Sequence, residues 1–134
     1  MIFIDSNIII DLIEDGEWTA WSKERLGARS GEPLAVNLIV FAEVSRAFGS
    51  VESVDVFLCE LGVVVEPMTP DVAFRAGRAQ VDYRLAGGRQ VSVLADFLIG
   101  AHAEALGATL ITRDKRRFGT YFPELTLITP ETEA

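Results

Sequence analysis

The chain has 134 residues, 49% of them hydrophobic, with 20 acids against 12 bases and a formal net charge of −8. That length suits one domain spanning 1–134 with a core of its own, and the half-apolar composition excludes a disordered chain. No apolar run approaches the ~18 residues of a membrane span, the MIFIDSN opening lacks the basic stretch of a secretory signal, and the lone Cys59 excludes an internal disulfide and a cysteine zinc site.

A reducing cytoplasm is the expected compartment. In chain order, MIFID predicts a short buried strand running into a helix, with Ser6 or Asn7 as cap and Ile8, Ile9, Leu12 and Ile13 as apolar stripe. A second helix is expected over Trp18–Ala28, where Trp18, Trp21 and Arg25 fall three and four apart, and Gly31-Glu32-Pro33 breaks it. Leu34-Ala35-Val36 reads as the second strand, and Asn37 caps a helix through Phe41 and Val44. A fourth helix covers Val51–Leu61, Gly62 ends it, and Val63-Val64-Val65 is the third strand. Thr69-Pro70 opens a helix to Leu85, with Val72, Ala76, Ala79 and Tyr83 on its inner face and Arg75, Arg78 and Asp82 opposite. After the Gly87-Gly88 break a helix spans Val93–Leu106, closed by Gly107. Thr109-Leu110-Ile111 and Thr126-Leu127-Ile128 are the fourth and fifth strands.

Apolar strands alternating with helices imply an α/β fold, a mostly parallel five-stranded sheet with helices on both faces. In such sheets ligands bind beyond the carboxyl ends of the strands. Four acids fall there. Asp5 ends the first strand, Glu43 lies on the helix after the second, Asp96 opens the helix before the fourth, and Asp114 follows the fourth. Carboxylates brought together cannot all ionise without a counter-charge. A hard divalent cation, Mg²⁺ or Mn²⁺, relieves this and suits phosphodiester hydrolysis.

These blocks resemble the PIN domain family: MIFIDSNIIIDL its opening, VNLIVFAEV its second block, ADFLIGAHAEALGATLITRDKRRF its third and fourth, and YFPELTLITP its ending. The ordered set covers essentially the whole chain and looks most like the VapC-type toxins of bacterial toxin–antitoxin pairs. The resemblance implies a PIN-like three-layer fold and a metal-dependent endoribonuclease acting on single-stranded regions of RNA, such as tRNA or rRNA. It assigns Asp5, Glu43, Asp96 and Asp114 to Mg²⁺ or Mn²⁺, with Ser6, Asn7 and Thr112 as supporting polar residues. It also implies a cognate antitoxin and a homodimer. The alternative is a PIN-like module that binds protein or RNA without hydrolysis. Asp5-Ser6-Asn7 lacks the second Asp of an aspartyl-phosphate enzyme, and no nucleotide-binding glycine motif is present.

The acidity argues on its face against nucleic acid, yet its distribution does not. Residues 1–67 carry 12 acids and 4 bases, while Arg75–Arg117 holds eight bases and four acids. Arg84, Arg89, Arg113, Lys115, Arg116 and Arg117 are candidates for holding the RNA backbone. His102 does not share a helical face with Asp96 and reads as a packing or surface residue. Asp11 reads as solvent-facing or a salt-bridge partner, Trp18 and Trp21 as packing residues, and Phe118, Tyr121 and Phe122 as core more than base-stacking groups. Gly100, Ala101 and Ala103 read as close helix packing. The helix of Ile8, Ile9 and Leu12, with the Trp helix, is the expected antitoxin seat.

Overall fold

The computed structural model describes residues 1–29 and 31–132. Five strands, β1 (Ile2–Ile4), β2 (Leu34–Val36), β3 (Val63–Val65), β4 (Thr109–Ile111) and β5 (Thr126–Ile128), form one sheet in the order β3-β2-β1-β4-β5. Every pairing is parallel, so the sheet expected to be mostly parallel is wholly so. Successive strand residues point to opposite faces, and all three residues of β1 and of β2 are buried. Both faces of the central sheet are therefore covered, which is why these strands read as unbroken apolar runs.

The cover comes from α1 (Ser6–Ile13), α2 (Thr19–Ala28), α3 (Leu38–Val44), α4 (Val51–Glu60), α5 (Pro70–Leu85), α6 (Val93–Ala105) and α7 (Lys115–Tyr121). Their ends follow local chemistry. Asn37 caps α3, its Oδ1 accepting from the Ile39 and Val40 amides at 3.0 and 3.1 Å. Thr69 caps α5 ahead of Pro70. Gly107 lies one residue past the C-cap Leu106 of α6 at φ +64°, the left-handed turn that a side chain would strain.

Three local expectations change. β1 leads directly into α1, so the cap is Asp5 rather than Ser6 or Asn7; its Oδ1 accepts from the Ser6 amide at 2.7 Å. α2 starts at Thr19, with Trp18 just outside it. The helix α7 is an addition that no sequence pattern marks, because Phe118 is its one buried residue and a single anchor makes no period.

The core runs along the sheet and into α6, where Phe97, Ile99, Ala101, His102 and Ala103 are buried. Each large apolar side chain removed from water stabilises by about 1.5–3 kcal/mol. Gly100 lets α7 and its C-terminal turn approach: a Cβ there would stand 2.6 Å from the Phe122 ring and 2.9 Å from that of Phe118. Strand order reverses between β1 and β4, which are neighbours although β2 and β3 intervene in the chain. A crevice forms outside the carboxyl ends at such a reversal, and the chain delivers Asp5 from β1 and Thr112-Arg113-Asp114 from β4 to that point.

Candidate active site

Asp5 is 4% exposed beyond the end of β1. Thr112 Oγ1, past β4, donates to its Oδ2 at 2.6 Å, and the same oxygen accepts from the Asp114 amide at 3.0 Å. Thr112 therefore ties the first acid to the backbone carrying the last one. Ser6 Oγ donates to Glu43 Oε1 at 3.0 Å, joining α1 to α3. Asn7 Oδ1 accepts from the Arg113 amide at 3.4 Å, a further tie from α1 to the β4 loop. Asp96 stands in the first turn of α6, and the Arg117 guanidinium of α7 pairs with it and also with Gln90. Asp114 caps α7, its Oδ1 accepting from the Arg117 amide at 3.2 Å.

The charges of the quartet act on one another. Burial pushes the Asp5 carboxyl up to about 7; the Thr112 and Ser6 hydrogen bonds oppose this, and the negative charges of Asp96 and Glu43 add to it. Burial also raises Glu43, against its bond from Ser6, with Asp96 adding. Burial raises Asp96 too, Arg117 opposing and Asp114 adding. Four acids from four separated segments thus share one electrostatic neighbourhood, with Arg117 as its internal cation. An all-oxygen donor set of this kind suits a hard divalent ion rather than a soft metal. Among the described residues, however, no three acid, His or Cys side chains stand in a ready-made ligand arrangement: Arg117 takes Asp96 and Ser6 takes Glu43.

The basic candidates divide. Arg84, Arg89, Lys115 and Arg116 are exposed. Arg113 is committed to structure: its guanidinium makes a bidentate pair with Asp11 at 3.0 and 3.1 Å and lies over the Trp18 ring, 5.7 Å from its centroid. Asp11 is therefore a buried partner and not solvent-facing; Ser22 Oγ of α2 also donates to it, at 2.8 Å. Trp18 and Trp21 meet edge to face at 6.4 Å. His102 is buried rather than at the surface. Its Nδ1 faces the Asn37 amide nitrogen at 3.2 Å, its ring packs on Phe3, and burial lowers its pKa. Phe118 and Phe122 are core residues, while Tyr121 is half-exposed beside the acids. Ile8 and Ile9 are fully buried and offer nothing to a partner, whereas Leu12 lines an apolar cleft with Leu26, Leu34 and Leu61. Sequence reasoning missed Tyr83 and Gln90, which line the cleft next to Asp114. The one signal for Gln90 was its place after the Gly87-Gly88 break, between Arg89 and the next helix.

A parallel sheet with an acid quartet at its strand reversal defines an α/β protein with a carboxylate-based site. The chain belongs to the PIN domain family, whose model matches residues 2–121. Solved structures similar to it include a toxin-antitoxin complex from Klebsiella pneumoniae, with 26% identity, a TM-score of 0.71, and coverage of 97% of this chain and 98% of that one. VapBC2 from Rickettsia felis, bound to a DNA fragment from its promoter, shows 24% identity and a TM-score of 0.70 over 96% and 98% of the two chains. VapBC-1 from nontypeable Haemophilus influenzae shows 22% identity and a TM-score of 0.73, again over 96% and 98%. A search of curated proteins returned no match. No helix among the described residues is long and apolar enough to cross a membrane.

Proposed function

We propose that this chain is a metal-dependent endoribonuclease that cleaves single-stranded regions of RNA and serves as the toxin of a type II toxin–antitoxin pair. The observation that carries this is the convergence of Asp5, Glu43, Asp96 and Asp114, where burial and neighbouring negative charge raise Asp5, Glu43 and Asp96. Asp5, Asp96 and Asp114 would hold Mg²⁺ or Mn²⁺, with Glu43 completing the set. Such an ion supplies an acidified water and charge neutralisation at a phosphate. The protein's own residues do the rest. Thr112 and Ser6 orient Asp5 and Glu43, and Asn7 holds the β4 loop. The exposed Arg84, Arg89, Lys115 and Arg116 would draw the RNA backbone toward the crevice. Arg117, paired with Asp96, neutralises part of the quartet's charge.

The antitoxin reading is supported by the similar Klebsiella pneumoniae complex and by the apolar cleft of about 290 Å³ that Leu12, Leu26, Leu34 and Leu61 line. Pairing with a second copy of the chain is supported by Phe74, Val81 and Leu85, large apolar residues left exposed along α5. Cytoplasmic action fits an RNA substrate and the free Cys59.

The deciding experiment is cleavage of total RNA with Mg²⁺, with EDTA, and by Asp5→Asn. Cleavage is expected in the first condition alone; equal cleavage in all three would exclude the proposal. The rival reading, a PIN-like module that binds without hydrolysis, is favoured by one observation, the absence of three acids already in a ligating arrangement among the described residues. Calorimetric titration with Mn²⁺ separates the two, since the rival binds no ion at millimolar concentration.

A further inference from the structure

The crevice does not end at the acids. From Asp114 a cleft of about 450 Å³ continues between α7 and the connection from α5 to α6, within the ~300–1,000 Å³ of small-ligand sites. Its walls are the Tyr83 and Tyr121 rings, the Gln90 amide, Thr120, and the Arg116 and Arg117 guanidinium groups. The connection is held in place. Tyr83 Oη accepts from the Gln90 backbone amide at 3.1 Å, and Gly88 lies so close under the Tyr83 ring that no side chain fits there.

The hydrogen-bonding character of this cleft follows from what its groups already do. Gln90 Oε1 accepts from Arg117, which leaves the Gln90 –NH₂ to donate. The Tyr83 hydroxyl accepts from Gln90, which leaves its proton to donate. The Arg116 guanidinium has no hydrogen-bond or ion-pair partner among the described residues and is exposed. Thr120 spends its proton on the Arg116 carbonyl at 2.7 Å. The free groups are thus mostly donors, and beside them the Tyr83 and Tyr121 rings, packed edge to face with centroids 5.9 Å apart, offer an apolar wall to a planar ligand.

A phosphate alone would use the cations and leave the amide and the rings idle. It would also meet the Asp114 carboxylate, while Arg117 is already shared with Asp96. A base fits better, since unstacked bases of single-stranded RNA are recognised by aromatic side chains and by hydrogen bonds to their edges. Guanine presents two neighbouring acceptors, O6 and N7, the pair that an arginine fork matches; adenine replaces one of them with an amine donor. We propose that this cleft is a base subsite selecting guanine in the strand next to the scissile bond, with Gln90 and Arg116 as its readers. This rests on the ribonuclease reading above.

The test uses Asp5→Asn protein with Mg²⁺, so that RNA stays intact, and four labelled hexamers of the form UUxUUU with x as G, A, C or U. Anisotropy is expected to show the G hexamer binding about tenfold tighter than the A hexamer. Gln90→Ala and Arg116→Ala each remove that preference, whereas Arg84→Ala weakens all four equally, as a backbone contact does. Equal affinity for all four hexamers, binding of none, or a guanine preference that survives both substitutions would overturn the subsite. Wild-type cleavage mapping separates this from the ribonuclease reading. RNA cut without guanine enrichment, alongside equal binding, removes the subsite and keeps the nuclease. Guanine-selective binding without any cleavage keeps the subsite and removes the nuclease.

Discussion

Two buried aspartates six residues apart show opposite solutions to the same problem. Asp11 is met by a complete set of partners: the Arg113 fork, the Ser22 hydroxyl and the Trp18 face behind the guanidinium. Asp5, at the start of the same helix, receives only neutral donors from Thr112 and Ser6, and its nearest charges are further acids. Both carboxylates lose water, but only one is given a cation by the chain itself. Burying a carboxylate unpaired costs several kcal/mol unless it keeps its proton. The fold therefore completes the charge balance where Asp11 ties helices to the β4 loop, and leaves it open at Asp5, where the proposed cation would complete it.

The contrast predicts separable phenotypes. The largest effect is on activity. Asp5→Asn is expected to lower RNA cleavage by on the order of 10³-fold, the scale for removing a preorganised charge from a transition state. It should also raise the melting temperature at pH 8 in EDTA, because the uncompensated carboxylate is gone. A variant that loses activity by unfolding would instead melt lower.

Next comes pH. The folded Asp5 value near 7 stands above its ordinary 3.8. A raised acid contributes stability below the unfolded value and loses it as pH rises through the folded one. Metal-free protein should thus become less stable between about pH 4 and pH 7, by on the order of 4 kcal/mol at most from Asp5, with Glu43 and Asp96 acting in the same direction. Thermal melts in EDTA across that window measure it. Millimolar Mg²⁺ should flatten the curve, and a slope that metal leaves untouched would dissociate the acids from cation binding.

Asp11→Asn follows, with an expected loss of roughly 2 kcal/mol in urea unfolding. It strands the half-buried Arg113, and the partial exposure of that side chain moderates the cost of a broken pair. Because Arg113 adjoins Asp114, a several-fold rise in the Mg²⁺ concentration needed for cleavage should accompany it. The smallest effects are at the rim. Arg84→Ala and Arg89→Ala should each weaken RNA binding by less than about fivefold and reduce its salt dependence by about one counterion, with no change in melting temperature.

Much of the fold was legible because the cues are local. Strands buried on both faces betray themselves as apolar triplets, and Asn37, Thr69-Pro70 and Gly107 mark helix ends through groups within a few residues. Helix α7 and the Asp5 cap escaped because a one-anchor helix has no period and because Ser6 and Asn7 are equally good caps in isolation. Only the tertiary structure turns Ser6 to Glu43 and Asn7 to Arg113.

At the site, Asp5 stood out as a candidate in the sequence, since a carboxylate set against the end of a buried apolar strand is costly unless a ligand or partner uses it. That the four acids would act on one another was expected from their places after the strands; which group answers each one, Thr112 for Asp5, Ser6 for Glu43 and Arg117 for Asp96, was not, for it needs β4 beside β1 and α7 beside α6. The same holds for the bases. Eight of them share the Arg75–Arg117 segment, yet Arg75 pairs with Asp71 and Glu104, Arg113 with Asp11, and Arg117 with Asp96. Composition counts charge, whereas partners decide which charge is free. By itself the sequence determined the parallel sheet, most helix ends and which acids follow the strands, all set by short-range pattern and by which side chains leave water. The tertiary structure decided which carboxylate is neutralised, which arginines remain for a ligand, and that Tyr83 and Gln90 stand beside Asp114, because those depend on contacts between segments far apart in the chain.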